Sequence, residues 1–538
     1  MFLNPLIANP LSRRLADAGL VGYAHHRTAQ LDRLDVPETQ WRTLKQLLHK
    51  ARHTRFGREH AFDRIVGVEH YQQTVPVRTY EDFWRDYWQA SFPRLEGTTW
   101  PDFVPYFALS SGTTTGTTKY LPVTREMLAS NRKTAFTTVA LFRHAYPQAK
   151  LFTGKFFFLG GNTDLRKESN GSRSGDLSAI SAIEVSPLTR PYSFPPRELM
   201  GIADWTVKVR RLAEASAKEP ITAISGVPAW LQSLFRHLKE VTGKKRVADV
   251  WPMLRMVVHG GTKFDAYRAE FREELGPDAH FCEVYPASEG FVATEDPRYQ
   301  LLRVVPDHGI FFEFVPMGEF EEGKLKTDRP VRHTLATAET GVEYAVAVTT
   351  CAGLWSYLIG DTVTFDRRDP PLIRFTGRTK YYLSAFGEHL IEDEITKAVA
   401  EAARSIGART SEWHVGPVFP TDPTKPGHHR YLVEFDSPPA ELSRFVDLLD
   451  STLRRLNEDY DAHRHGDLSM LRPEVLVVKP GGFERWMIAH GKRPPQHKVP
   501  KMDNGGTQTA AITEWMRANG ELAGAPLAAS ERGVGGRG

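Results

Sequence analysis

Leu109-Ser-Ser-Gly-Thr-Thr-Thr-Gly-Thr-Thr-Lys-Tyr-Leu-Pro122 places seven Ser and Thr hydroxyls, two glycines and a lysine between apolar flanks. Glycine lets a backbone turn where a Cβ would clash and exposes N–H groups to a ligand. Ser and Thr add short donors, and Lys119 adds a cation. The set suits a loop wrapped around a phosphate chain. It is not the Walker P-loop, which needs four residues between its glycines and a lysine directly after the second. Here three residues separate Gly112 from Gly116, and Lys119 comes two residues late. A Ser/Thr/Gly surface linker is the bland alternative. Against it, Phe107-Ala108-Leu109 and Tyr120-Leu121 read as strand ends that hold the loop in place.

Around this stretch lies a chain of 538 residues, long enough for three or four compact units or fewer larger ones. It is 41% hydrophobic and 25% charged, the balance of an ordinary soluble globular protein. A net charge of +4 is small for this length, so no nucleic-acid surface is indicated. Cys282 and Cys351 form neither a disulfide framework nor a zinc spacing. Both sit among apolar residues and read as buried small hydrophobes, which fits a reducing cytoplasm. The N-terminal stretch Met1 to Pro10 is too short and too broken by proline for a signal peptide. No apolar run is long enough for a transmembrane helix, so no membrane partner is expected.

The first hundred residues read as helices. Trp41, Leu44, Leu47, Leu48 and Ala51 share one helical face, opposite Lys45, His49 and Arg52. Thr79 is placed to cap a helix over 80–89, and Thr124 one from Arg125 to about His144. Short apolar runs at Phe156–Leu159, Ile221–Ser225 and Leu254–His259 read as buried strands. Helical patterns lie between them, so the expected fold class is α/β: a large N-terminal domain with mainly parallel sheets. Arg166–Gly175, polar and glycine-rich, reads as a mobile surface loop. From Gly309 to Phe375 strands follow one another, implying an antiparallel sheet or small barrel, a β-rich subdomain. After Gly377-Arg378, two helical stripes and three strands give a smaller α+β domain. The expected division is a large domain over 1–376, a small mobile cap over 377–504 and a terminal segment over 505–538. The last residues, 531–538, lack the apolar content to stay ordered.

Three other stretches concentrate chemistry. In Val258-His-Gly-Gly-Thr-Lys-Phe264, Gly260-Gly261 at a strand's carboxyl end would let a flat ligand press on the backbone; an ordinary strand-to-helix turn is the alternative. In Glu283-Val-Tyr-Pro-Ala-Ser-Glu-Gly290, Tyr285 is placed to stack on a purine and Ser288 to reach a phosphate. Glu289 is a candidate Mg²⁺ ligand, with nucleotide phosphates completing the shell, or else a helix N-terminal carboxylate. In Tyr357-Leu-Ile-Gly-Asp-Thr-Val-Thr-Phe365, Asp361 is placed to accept from vicinal ribose hydroxyls, unless Gly-Asp is only a hairpin turn. His428-His429 and His463-x-His465 have the look of metal pairs but no carboxylate or cysteine at a supporting spacing, and read as solvated turns.

Taken in order, these motifs resemble the adenylate-forming superfamily, and within it the Gretchen Hagen family of acyl-acid amido synthetases. The resemblance rests on Ser110–Thr113, Tyr285–Glu289, Tyr357–Asp361 and Gln496-His-Lys-Val-Pro-Lys501, and runs from about residue 40 to 502. Lys501 stands where the plant pattern has Arg, and Ser384–Glu394 is closer to the wider superfamily. The resemblance implies a ligase. ATP and a carboxylic acid would give an acyl-adenylate and pyrophosphate, and an amine, such as an amino acid, would then displace AMP. By this pattern Ser110, Ser111, Gly112, Thr113 and Thr114 would hold phosphates, with Gly260 and Gly261 lining the nucleotide. Tyr285 would line adenine, Ser288 the α-phosphate, Asp361 and Arg378 the ribose, and Glu289 would bind Mg²⁺. Lys498, with Lys492 as its rival, would meet the charge that develops in adenylation. Phe136, Val227, Trp230 and Leu231 are candidates for the acyl pocket. An acyl-CoA ligase and an inactive nucleotide-binding scaffold are the alternative readings. No nucleic acid, membrane or obligate protein partner is implied.

Overall fold

The structure is a computed structural model. It describes residues 9–523 apart from 112–117, 161–164, 186–188, 203–204, 261–263, 322, 380–381, 384, 387, 389, 420–425, 437–438, 458–459, 462–463, 465–469, 493–497 and 504. The chain forms two compact units, Met1–Glu321 with Leu325–Phe375, and Glu322–Lys324 with Thr376–Gly538. Among the described residues, no helix is long and apolar enough to cross a membrane.

The N-terminal unit opens with helices α1 (Pro10–Asp32) and α2 (Val36–Ala51). Asp35 caps α2 by accepting the Glu38 amide at 2.9 Å, and the helix buries Leu44, Leu47, Leu48 and Ala51 as its periodicity requires. Thr79 and Asp82 form a capping box at Tyr80–Phe83. That turn passes directly into a π-helical turn, Trp84–Trp88, so the single helix expected over 80–89 is divided. Strands β1 (Tyr106–Ser111) and β2 (Thr118–Val123) pair antiparallel down to Ser111 opposite Thr118. The ends of the hydroxyl-rich stretch, Leu109–Ser111 and Thr118–Pro122, are therefore paired strands, and its central residues 112–117 lie outside the described residues. Helix α3 (Arg125–Ala145) follows, and the Thr124 hydroxyl accepts the Met127 amide at 3.0 Å.

The segment expected to be a mobile loop is ordered. Strand β4 (Arg166–Lys167) pairs with β5 (Arg173–Gly175), and β5 adds in parallel to β1. Its polar residues satisfy one another: the buried Ser174 hydroxyl donates to Glu168, and Asn170 accepts from Ser172. The buried polar residues Glu168, Ser172 and Ser174 belong to this internal network, while Arg166, Lys167, Ser169 and Arg173 are exposed.

The main sheet comprises, in chain order, β3 (Lys155–Phe158), β6 (Ser193–Phe194), β7 (Ile221–Ser225), β8 (Met256–Gly260), β9 (His280–Ala287), β10 (Gly290–Asp296), β11 (Leu301–Val304), β12 (Ile310–Pro316), β13 (His333–Thr334), β14 (Glu343–Thr350), β15 (Tyr357–Arg367) and β16 (Leu372–Arg378). Its order is β13-β12-β14-β15-β16-β11-β10-β9-β8-β7-β3-β6. Strands β6, β3, β7, β8 and β9 run parallel, while β9–β10, β10–β11, β11–β16, β12–β14 and β14–β15 are antiparallel. The expected parallel sheet and the expected antiparallel one are thus a single continuous sheet, joined at the β9–β10 hairpin. Helices α4 (Trp205–Ser216), α5 (Pro228–Thr242) and α6 (Asp265–Leu275) connect the parallel strands.

In the C-terminal unit, α7 (Glu392–Ser405) and α8 (Leu442–Leu456) pack with a three-stranded sheet of β17 (Thr410–Val418), β18 (His428–Phe435) and β19 (Glu474–Val478). Ile395, Val399 and Ala402 meet Phe445, Leu449 and Leu453 in its core. Helices α9 (Gly482–Ala489) and α10 (Thr507–Ala518) add a second cluster, in which Ile512 and Met516 pack with Leu432, Phe483 and Trp486. The stretch after Gly505 is therefore part of this unit at least to residue 523; the tail expected to lack order lies outside the described residues.

Candidate active site

The β9–β10 hairpin has a two-residue connection, Ser288-Glu289, between the paired residues Ala287 and Gly290. A Cβ on Gly290 would lie 2.5 Å from Ile310 Cδ1, and its φ is +157°, so glycine lets the turn lie against β12 without displacing that side chain. The turn presents Glu289, which is 9% exposed, and Ser288, which is half-buried.

One strand that is far from β9 in sequence, β15, bonds to this hairpin through two side chains. The Tyr285 hydroxyl donates to Asp361 Oδ2 at 2.7 Å, and the Tyr357 hydroxyl donates to Glu289 Oε1 at 3.2 Å. Three strands lie between β9 and β15 in the sheet order, so the sheet must curl for the first bond to form. The register shift between Phe291 and Ala293 in β10 is a bulge of the kind that bends a strand. Phe375 of β16 completes the wall, its ring edge-on to Tyr285 with centroids 5.7 Å apart.

Tyr357 is fully buried, and burial pushes its pKa well above 10; the Glu289 charge and its hydrogen bond push the same way. The phenol therefore stays protonated and donates to the carboxylate. Its position is set from behind. Ser356 has a φ of +43°, which is strained for a residue with a Cβ. Thr349 Oγ1 accepts the Ser356 amide, Arg332 Nη1 donates to its hydroxyl, and that hydroxyl donates to Glu313 Oε2. This buried network holds the unfavourable backbone angle in place.

The glutamate has the chemistry of a Mg²⁺ ligand. Among the described residues there is no group of three or more His, Cys, Asp or Glu able to hold a metal. A single carboxylate suits Mg²⁺, which keeps several waters and takes phosphate oxygens for the rest of its shell. The residues present fit that ion.

The other sequence-derived residues divide into groups. Ser110 pairs in register with Lys119, whose ammonium lies 5.5 Å above the Tyr80 ring. Ser111 ends β1, and Gly112, Thr113, Thr114 and Gly261 lie outside the described residues. Gly260 ends β8, where a Cβ would come within 2.3 Å of the Val284 carbonyl oxygen. Val227, Trp230 and Leu231 stand at the start of α5, directly after β7, whereas Phe136 is 39% exposed on α3 and lines a separate cavity with Ala16, Leu20 and Tyr23 of α1. Arg378 ends β16 and is exposed.

In the C-terminal unit Lys498 is exposed, next to the buried Val499, while the Lys492 ammonium lies 5.0 Å above the Trp486 ring. Lys501 pairs with Glu412 and lies over Trp413, a structural use of that cation. His428 and His429 are not solvated turns. Both lie on β18: His428 pairs with Glu474, and the buried His429 with Glu388 at 2.7 Å. Their carboxylate partners come from 46 and 41 residues away, too far for any spacing rule to find. His463 and His465 lie outside the described residues.

Sequence reasoning gave Tyr357 no role beyond opening its motif, and it passed over His259, which is buried beside Gly260. The signal available for Tyr357 was a phenol four residues before an acidic one.

The GH3 family N-terminal domain matches residues 28–183, the central domain 303–378 and the C-terminal domain 393–505, together more than half of the chain. "Indole-3-acetic acid-amido synthetase GH3.8" of Oryza sativa subsp. indica is 30% identical over 356 residues, 61% of this chain and 57% of that protein. "Indole-3-acetic acid-amido synthetase GH3.3" of Arabidopsis thaliana is 26% identical over 351 residues, with the same coverage of 61% and 57%. The matched stretch therefore spans a little over half the length of these relatives. Among solved structures, "GH3.15 acyl acid amido synthetase" superposes with a TM-score of 0.74 at 19% identity, over 92% of this chain and 95% of that one. "2-Hydroxyisobutyryl-CoA Ligase" in its postadenylation state gives 0.56 at 13% identity, over 88% and 91%. These two likenesses are of fold alone. Three domain matches in order, on a chain whose hairpin and strand motifs are joined by two buried hydrogen bonds, identify it as a member of the GH3 family.

Proposed function

We propose that the protein is an ATP-dependent acyl-acid amido synthetase. It joins a carboxylic acid to ATP as an acyl-adenylate, releasing pyrophosphate, and then transfers the acyl group to an amine, an amino acid in the main reading, releasing AMP. The observation that carries this reading is the pair of tyrosine–carboxylate bonds, Tyr285 to Asp361 and Tyr357 to Glu289, which draws two distant motifs into one buried polar site. Family membership and relatives named as amido synthetases support it.

The chemical difficulty lies in the first step. A carboxylate is a poor electrophile, and its attack on the α-phosphate brings negative charges together. Oriented donors and cations must meet that charge as it builds. Ser110–Thr114 and Ser288 supply hydroxyl and amide donors to the phosphates. Tyr285 and the strand end at Gly260-Gly261 flank the adenine, and Asp361 and Arg378 take the ribose. Glu289 holds Mg²⁺, which when bound neutralises phosphate charge. Tyr357 keeps the Glu289 carboxylate oriented. Lys498 is the cation for the developing charge, a compact ammonium suited to engage for one step and withdraw for the next. Val227, Trp230 and Leu231 border the acyl group, and the reaction is placed in the cytoplasm. The domain division at about residue 376 follows the same pattern, with a mobile C-terminal cap.

Incubation with ATP, Mg²⁺ and a panel of carboxylic acids should release pyrophosphate, and AMP release should then depend on added amino acid. No pyrophosphate with any acid would refute the activity. AMP release driven by CoA and not by amines would make the protein an acyl-CoA ligase.

A further inference from the structure

Side chains of β8 alternate between two cores. Val257 packs with Ile224, Leu231 and Phe281, and Met256 packs with Phe142 and Cys282 on the opposite face. With a period of two, His259 shares the Val257 face. On β9, Phe281 lies on that face and Tyr285, four residues on, returns to it. His259 is level with Glu283, one pleat short of Tyr285. On its other side, the Gly226 amide donates to the Val258 carbonyl, and a Cβ on Gly226 would lie 3.1 Å from Leu231 Cδ2. His259 therefore stands at the carboxyl end of a parallel strand, between the start of α5 and the strand that carries Tyr285. Open α/β sheets bind their ligands at such strand ends.

The ring is 2% exposed and stacks on Phe264, with centroids 3.8 Å apart and planes at 16°. Phe281 lies on a second side, at 6.5 Å. Burial, aided by Arg268, pulls its pKa down to about 3, so the ring is neutral. One nitrogen is then an N–H donor and the other a lone-pair acceptor. Among the described residues neither nitrogen has a hydrogen-bond partner. A phenylalanine would fill this aromatic niche with no polar group to leave unmet, so the imidazole needs a reason to be there.

We infer that His259 is a specificity-determining residue that reads a hydrogen-bonding ring substituent on an aromatic acid substrate, an inference that rests on the acid-activating function proposed above. Phe264 and Phe281 give the niche its aromatic character, and His259 gives it a polar reader. A site built to hydrogen-bond a substituent discriminates sharply against the analogue that lacks it, because its own polar group is then left unmet.

The test uses the full-length protein and matched pairs of acids: 4-hydroxybenzoate with benzoate, and 3- or 4-hydroxyphenylacetate with phenylacetate. Pyrophosphate release gives kcat/KM, and the rise in melting temperature on adding acid with ATP gives binding. The hydroxylated member of at least one pair is expected to be favoured by about tenfold or more. His259→Phe should reduce that preference to within threefold while leaving the KM for ATP unchanged, and His259→Gln, which keeps a donor and an acceptor, should retain part of it. A merely structural histidine would change melting temperature and not selectivity. Turnover with all pairs treated alike, or a preference that survives in His259→Phe, overturns the role of His259 and leaves the activity standing. If His259→Phe does not fold, His259→Gln decides: unchanged selectivity overturns the inference. Absence of both turnover and acid-dependent stabilisation with these aromatic acids overturns the inference, and the activity falls with it only if the wider acid panel also releases no pyrophosphate.

Discussion

Tyr285→Phe deletes one oxygen from the candidate site and little else. The ring keeps its edge-on packing against Phe375, and the site loses the 2.7 Å bond to Asp361 Oδ2. Tyr285 is 8% and Asp361 4% exposed, so water has little access to replace that donor. A hydrogen bond to a charged group is worth roughly 1.5–3 kcal/mol. At about 1.4 kcal/mol per factor of ten, that is a span of roughly 10- to 150-fold. Part of the loss falls on folding stability. The part that falls on binding is the orienting of Asp361 toward the ribose. The expected outcome is a rise of about tenfold in the KM for ATP, with kcat changed less than threefold, in acid-dependent ATP–pyrophosphate exchange. Asp361→Asn should raise the KM too, and the double variant should fall short of the product of the two effects, because both remove the same bond. A KM within twofold of wild type in Tyr285→Phe, alongside a large effect of Asp361→Asn, would refute the reasoning: Asp361 would then bind ribose without its tyrosine.

Three other outcomes are expected. Lys498→Ala should leave nucleotide binding within a few-fold but lower pyrophosphate exchange by roughly a hundredfold or more, as loss of a charge-stabilising group does; unchanged exchange rules out that role and directs attention to Lys492. Tyr357→Phe should raise the Mg²⁺ concentration for half-maximal pyrophosphate release by about tenfold, the usual scale for a residue that orients a metal ligand, and Glu289→Gln should raise it further; identical Mg²⁺ curves for wild type and Tyr357→Phe would reject the positioning role. Burial holds the pKa values of His259, His308 and His414 at about 3, 4 and 4, below the ordinary value of 6.5. The unfolded chain then binds more protons than the folded one between those values and pH 6.5, so stability should fall as pH drops through that window. Melting temperature scanned from pH 7.5 to 4 would show it, and a flat profile would contradict the burial of neutral rings.

Much of the local structure was legible because it depends on neighbours in sequence. Thr79 and Thr124 marked helix starts through bonds that reach three residues ahead. The stripe Phe445, Val446, Leu449, Leu453 gave α8 its buried face. The Arg166–Gly175 strands were not legible, since their polar residues are matched by partners and pairing that only folding supplies. The docking of the run after Gly505 had no local signal either: Gly416 has no Cβ, and one there would lie 2.0 Å from Thr509 Oγ1, so α10 can pack against β17.

What the sequence determined alone is the set of motifs, their order and the family they imply, because chemistry at a strand end needs particular residue types at short, fixed spacings. What the tertiary structure decided is which of those residues meet. Asp361 lies 76 residues from Tyr285, and Glu289 lies 68 from Tyr357. No periodicity spans such distances. The pairs form because one continuous sheet curls between β9 and β15, with a bulge in β10 and, just before β15, a strained Ser356 that a buried network holds in place.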